Sequence, residues 1–259
     1  MKIISWNLNS IRARKEQLVI LLKNEKPDFV CLQETKVSND SFPEEPIKKL
    51  NYHIFKNGMA SYNGVSILST LPPKDIKTQN FCKKSDCRHI EISFEKIRIH
   101  SIYVPAGGEE PDPLKNKKFK HKLKFLDEMF EFFSKNKKFN HIVCGDFNVA
   151  PFEDDVWSHN NLKNVVSHTD IERKKILKVL NDCNFEDTIR KFISPPKNIF
   201  TWWSYRSPDF TKNNRGRRLD HIWTSKKKFI KTNHAKILID YRRMTKPSDH
   251  VPISMNFSF

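Results

Sequence analysis

Apolar and polar positions alternate along the chain in short blocks, which predict strands set between a few longer helices. Residues 2–6 form an apolar run that predicts a buried strand, and residues 10–24 carry Ile11, Leu18, Leu21 and Leu22 at helical spacing. Residues 29–32, 65–68, 89–94 and 97–104 predict further strands, the last pair turning as a hairpin around Glu95 and Lys96. Residues 119–133 predict a helix with Leu123, Leu126, Phe130 and Phe133 on one face. A short strand at 141–144 and a helix at 171–180 follow, then a strand-rich stretch at 200–203, 219–224, 235–239 and 251–257. Strands with widely spaced helices between them fit an α/β arrangement of two packed sheets with helices outside.

Composition narrows this picture. At 259 residues, with scattered Pro, scarce Gly and no repeat or low-complexity block, the chain is expected to be one domain, residues 1–259. The opening MKIISWNLNSIRARK does not read as a secretory leader, because Asn7, Asn9 and Arg12 interrupt any apolar core, and no stretch reaches the length of a membrane span. Cys31, Cys82, Cys87, Cys144 and Cys183 are odd in number and lack CxxC spacing, which argues against a zinc site and a disulfide framework. The expectation is a monomer in the cytoplasm, in a bacterium the cytosol or nucleoid, with no membrane partner. The net charge of +17 favours a polyanionic partner. Lys outnumbers Arg by 35 to 12, however, and Asn, Ile and Phe are plentiful, as an AT-rich coding sequence would produce. Charge therefore supports a nucleic-acid partner without deciding for one.

The candidate chemistry falls where predicted strands begin or end. Asn7 follows the first strand, Gln33 and Glu34 the second, and Tyr103 ends the hairpin; Asp146 and Asn148 follow the 141–144 strand, Asp220 opens another, and Asp249 and His250 precede the last. Any one of these could be an ordinary cap or turn residue. Together they supply what phosphodiester hydrolysis needs: hard oxygen ligands for Mg²⁺, a group to activate water, and donors for charge growing on the phosphate.

The strings WNLNSIRAR, CLQETK, SIYVPAGG, GDFNVAP, NRGRRLDHIW and KPSDHVPI resemble, in order and across nearly the whole chain, the signatures of the exonuclease III family of abasic-site endonucleases. QET, GDFN and SDH are shared with the wider superfamily of DNase I, sphingomyelinases, inositol-phosphate phosphatases and deadenylases. FTWWSYRSPDF, NRGRRLDH and KPSDH resemble the bacterial exonuclease III branch more narrowly. The resemblance implies a four-layered, DNase I-like α/β sandwich of two mainly antiparallel sheets flanked by helices. It implies Glu34 as the principal Mg²⁺ ligand (Mn²⁺ a possible substitute), with Asn7 and Asp249 at the metal or the phosphate. His250 would bind the phosphate and act in acid/base chemistry, oriented by Asp220. Asp146 would position or deprotonate the attacking water, and Asn148 and Tyr103 would stabilise the phosphate and the leaving group. A second metal position at Asp146 and Asn148 stays open.

By the same resemblance, Trp202, Arg217 and Leu219 form the slot for a flipped-out abasic sugar. Adjacent Trp202 and Trp203 would point to opposite faces of a strand, one inward and one toward a pocket, though both could be core. Arg12, Lys36 and Arg88 are candidates for phosphate contacts or simply a solvated basic surface. The six lysines between 115 and 124 read as the solvated approach to a helix, with a DNA-backbone contact as a further role. Three departures from relatives stand out: Ala106 where Gln or Asn is common, Arg217 where Trp or an aliphatic residue is common, and Asn9 where some carry Asp. The first two leave the balance between endonuclease and exonuclease activity open. The implied function is Mg²⁺-dependent hydrolysis 5′ to abasic sites in duplex DNA, with 3′→5′ exonuclease activity or processing of blocked 3′ ends. The alternatives are a lipid or inositol-phosphate phosphodiesterase on the same scaffold and a non-catalytic DNA-binding module.

Overall fold

A computed structural model describes residues 1–206, 209–226 and 231–258; Ser207 and Pro208 of the FTWWSYRSPDF string lie outside the described residues. The strands are β1 (Lys2–Asn7), β2 (Phe29–Gln33), β3 (His53–Asn57), β4 (Val65–Ser69), β5 (Asp75–Lys77), β6 (His89–Ser93), β7 (Arg98–Tyr103), β8 (His141–Asp146), β9 (Phe185–Asp187), β10 (Asp220–Ser225), β11 (Lys231–Ile237) and β12 (Ile253–Ser258). They form two six-stranded sheets, ordered β11-β12-β1-β2-β4-β3 and β5-β6-β7-β8-β10-β9. Pairing is antiparallel except for one parallel pair near the middle of each sheet, β1 with β2 and β7 with β8.

The two-residue period of a strand decides which side chains face which layer. In β1, Ile3 joins Cys31, Ile67, Ile99, Ile142, Ile222 and Ile253 in a core between the sheets, while Ile4 and Trp6 turn outward. There they meet Ile11, Leu18 and Leu21 of the Ile11–Glu25 helix. On the far side, Ile102, Val143 and Trp223 pack against Phe125, Phe133 and Val179 of the Lys117–Lys135 and Asp170–Asp182 helices. Helices, sheet, sheet, helices make the four-layered sandwich expected. Central strands are buried on both faces, which is why they read as unbroken apolar runs.

Three expectations change. Residues 200–203 form no strand: Trp202 makes isolated bridges to Arg217 on one side and His250 on the other, so this segment ties two loops together instead of extending a sheet. Asn7 and Asp146 are the last residues of β1 and β8 and do not follow them. Lys122 is not solvated: its side chain is fully buried against an equally buried Glu172, with Nζ 2.5 Å from Oε1. Strands β3, β5 and β9 had no apolar signal because β3 and β5 are partly or wholly exposed edge strands and β9 is three residues long.

Candidate active site

Strand register assembles the site before any side chain is considered. Asp146 is the Cα partner of Tyr103 across β7 and β8 and of Asp220 across β8 and β10, so three candidate residues lie in one row. In the other sheet Asn7 pairs with Gln33, which places Glu34 just past the end of β2. Glu34 (φ 51°) and Asn148 (φ 51°) both adopt the left-handed conformation, turning sharply at strand ends. Such backbone is costly for residues other than glycine and is characteristic of functional sites. Gly145 allows the close approach of β7 to β8, since a Cβ there would lie 1.9 Å from the Ile102 carbonyl oxygen.

The side chains converge on Asn7 Nδ2, which donates to Glu34 Oε1 (2.8 Å) and Asp146 Oδ2 (2.9 Å) and lies 3.4 Å from His250 Nε2. His250 Nδ1 is 2.8 Å from Asp220 Oδ2, while its Nε2 faces Asp146 Oδ2 at 3.7 Å. Ser248 Oγ donates to the Asn7 carbonyl and accepts from the His250 amide, locking the SDH turn onto β1. Asn148 donates through Nδ2 to Asp146 Oδ2 and to the Val104 carbonyl. Asp249 accepts from Asn9 Nδ2 and from Trp202 Nε1, each at 3.0 Å. Lys36 Nζ lies 2.7 Å from Glu34 Oε2 and donates to Asn9 Oδ1.

Burial sets the titration of this cluster. It raises the Asp146 carboxyl to about 7; His250 opposes that rise, and nearby Asp220 and Glu34 add to it. For His250 burial alone favours the neutral ring, but Asp220 and Asp146 outweigh it and hold the imidazolium up to about 10. Burial, then the charges of Glu34 and Asp146, push the Tyr103 phenol well above its ordinary value, so it is a neutral hydroxyl donor. For Asp249, burial raises the carboxyl, but His250 and the bonds from Trp202 and Asn9 prevail and hold it low.

The donor set suits a hard divalent cation. Carboxylate and carboxamide oxygens dominate it, and the partly exposed Glu34 carboxylate already draws the Lys36 ammonium. Among the described residues, Asp146, Asp220 and His250 bring ligand-type atoms within 4.8 Å of one another. In that trio His250 Nδ1 is already engaged by Asp220, while Glu34 lies on the other side of Asn7.

These groups open into a cleft of about 600 Å³ whose walls include Tyr103, Ala106, Val166, Ser167, Trp202, Arg206, Arg217 and Leu219. Trp202 lines it, and Trp203 is buried against Phe200, Phe210 and Val251, so the two tryptophans divide as the pattern of alternation suggests. Lys36 is in the site. Arg88 stacks on the Tyr103 ring and pairs with Asp86, close to the site but engaged. Arg12 is not brought to it: it is exposed beside Lys15 and Arg243 on the outer helix layer. Sequence reasoning missed Arg14, which donates to the Asn9 carbonyl, Tyr205 Oη and the Pro247 carbonyl, and the Val166–Ser167 wall.

Comparison with known proteins matches residues 4–250 to the model of the Endonuclease/Exonuclease/phosphatase family. The chain belongs to this family. Over 270 aligned residues it is 32% identical to the exodeoxyribonuclease III of Haemophilus influenzae, covering 99% of this chain and 100% of the relative. An AP endonuclease structure from Archaeoglobus fulgidus superposes with TM-score 0.91 at 32% identity, covering 100% of both chains. The 3′ phosphatase NExo from Neisseria, bound to a product DNA hairpin, gives TM-score 0.91 at 27% identity and equal coverage. The family match and the nucleases among these relatives show a nuclease hydrolase.

Proposed function

We propose that the protein is a Mg²⁺-dependent DNA-repair nuclease that hydrolyses the phosphodiester 5′ to abasic sites in duplex DNA and processes 3′ ends by 3′→5′ exonuclease or 3′-end cleavage. The observation that carries this reading is the convergence on Asn7 of Glu34, the buried Asp146 and the Asp220-held His250. Residues 1–259 act as one catalytic domain, a reading supported by the family match across 4–250 and by the core shared between the two sheets.

Glu34 is the principal residue to hold Mg²⁺, with Asn7, Asp249 and the Asp146–Asn148 pair as further ligands. The ion, when bound, neutralises charge on the phosphate and the leaving oxygen. Asp146 orients and deprotonates water, a task for which a pKa near neutrality is suited. His250, fixed in orientation by Asp220, donates from Nε2 to a phosphate oxygen. Asn148 and Tyr103 add neutral donors where charge accumulates. Lys36 and Arg88 meet backbone phosphate, and Trp202 and Leu219 give the slot its apolar surface, while Arg12 lies on an outlying basic face. The partners are double-stranded DNA with abasic sites or blocked 3′ ends, met by a monomer in the cytoplasm; among the described residues no helix is long and apolar enough to cross a membrane.

The test is a labelled duplex carrying one abasic analogue, incubated with Mg²⁺ or with EDTA, beside a phospholipid and an inositol phosphate. Incision of the duplex only with Mg²⁺ is expected. Binding without Mg²⁺-dependent cutting, or hydrolysis of the phospholipid or inositol phosphate in place of DNA, would overturn the reading.

A further inference from the structure

Arg217 gives the wall of the cleft a cation at a position where a neutral sugar ring offers it nothing. Its guanidinium stacks on Trp202, 5.3 Å from ring centroid to Cζ, and Nη1 donates to the Val166 carbonyl (3.0 Å) and to Ser167 Oγ (2.7 Å). Those bonds fix the fork in place. Nε and Nη2 have no hydrogen-bond partner among the described residues and are not sealed from solvent, and Arg217 lines the cleft, which leaves two donors for an occupant. Of the carboxylates that share the cleft, Glu34, Asp146 and Asp249 are bonded to Lys36, Asn7, Asn148, Asn9 and Trp202, Glu109 is exposed, and none of the four bonds Arg217 among the described residues. Glu172, itself paired with Lys122, offsets the burial of this guanidinium only in part and makes no hydrogen bond to it among the described residues; an anionic group with oxygens in one plane would complete it through paired, charge-assisted bonds.

Resting on the proposed nuclease reading, we propose that Arg217 makes this site select 3′ ends whose phosphate carries a small anionic remnant, such as a glycolate, over ends carrying a neutral substituent or an abasic sugar. The reaction is the one already assigned. Water attacks phosphorus, the P–O3′ bond breaks, O3′ leaves as a hydroxyl with the proton lost by the water, and the phosphate departs with its remnant. In abasic-site incision the same bond breaks, and the substituent on the far side of phosphorus is the sugar. The remnant's carboxylate, two carbons from the phosphate ester oxygen, is the group offered to Nε and Nη2. Charged hydrogen bonds of this kind correspond to a preference of about tenfold or more.

The experiment compares kcat/KM on nicked duplexes ending in 3′-phosphoglycolate and in 3′-phosphate esterified with ethylene glycol, an uncharged remnant of like size, alongside a duplex with a tetrahydrofuran abasic analogue. The protein is expected to favour the glycolate over the glycol about tenfold or more, with Arg217→Met bringing the ratio close to one and Arg217→Lys keeping part of it. The preference for glycolate over the furan duplex should fall in Arg217→Met as well. A ratio near one in the unaltered protein, or a ratio unchanged in Arg217→Met, overturns the inference while the nuclease reading stands. Failure to cleave any of the three duplexes with Mg²⁺ overturns both.

Discussion

His250 is where the energetics of the site are most concentrated. Its ring is buried, and burial disfavours the charged form, yet Asp220 at 2.8 Å and Asp146 at 3.7 Å keep it protonated up to about 10. Among the described residues Asp220 Oδ1 has no hydrogen-bond partner, so the carboxylate's one strong bond goes to the imidazole. Replacing Asp220 with Asn removes the charge and keeps the shape. Asp220→Asn is expected to lower kcat for abasic-duplex incision by about 100-fold or more, with the alkaline limb of the pH–rate profile moving to lower pH as the ring loses its partner. Steady-state rates across pH 6–10 check this, and an unmoved alkaline limb would show that His250 does not act as the proton donor. Glu34→Ala and His250→Ala should each abolish most incision in a protein whose circular dichroism is unchanged; near-normal turnover in either would refute its role. At this scale the sequence was informative, because QET, GDFN and SDH place polar groups next to apolar runs. Lys36 on Glu34 and the left-handed backbone of Glu34 and Asn148 were not readable, since they depend on how the chain folds back.

Helix and loop elements hold these residues through the buried Lys122–Glu172 pair. From the Lys117–Lys135 helix, Lys122 Nζ donates to the carbonyls of Asn148 (2.7 Å) and Ala106 (3.2 Å). Glu172, which caps the Asp170–Asp182 helix, accepts from the amides of Ser167 and Thr169. One ion pair thus ties together the loop after Tyr103, the GDFN loop and the cleft wall beneath Arg217. Lys122→Met alone should cost about 3–5 kcal/mol, because it strands a buried carboxylate. Adding Glu172→Gln should recover part of the thermal stability, since it removes the stranded charge and keeps an acceptor for the Ser167 and Thr169 amides. Incision should remain depressed in the double variant, as the two carbonyls stay untethered. Calorimetry and kcat on the same samples check both parts; activity that returns together with stability would show the pair to be structural alone. The six-lysine run hid this role. Nothing local distinguishes Lys122 from its neighbours, and its burial follows from a glutamate 50 positions later.

Across the whole molecule, the second sheet carries a ladder of buried histidines under the Lys117–Lys135 helix. His89 Nε2 is 3.0 Å from His100 Nδ1, and His100 Nε2 is 2.9 Å from His141 Nδ1, with Phe132 and Phe133 packed against the rings. Burial, then the neighbouring His141, lowers His89 to about 3, and burial first likewise lowers His100 well below its ordinary value. Both folded-state values lie beneath the unfolded value of about 6.5. Their contribution to stability is therefore complete above that pH and is lost as pH falls from about 6.5 toward 3. Between pH 6.5 and 4.5 the melting temperature of the unaltered protein should fall roughly 5 °C more than that of His89→Leu. Equal losses would show that the ladder is not held neutral. The layered fold was legible because central strands read as apolar runs. Strands β3, β5 and β9, and the loop that 200–203 became, depend on edge position and cross-loop bridges instead.

The proposed reaction is hydrolysis at phosphorus with loss of O3′, driven from the Glu34–Asp146–His250 cluster. Incision of an abasic duplex in ¹⁸O-labelled water, followed by mass spectrometry of both fragments, tests this most directly. The expected result is one ¹⁸O in the 5′ phosphate of the downstream fragment and an unlabelled 3′-hydroxyl on the upstream one, with no product in EDTA or from Glu34→Ala. Product phosphate without label, an upstream unsaturated sugar end, or cutting that persists in EDTA would contradict it.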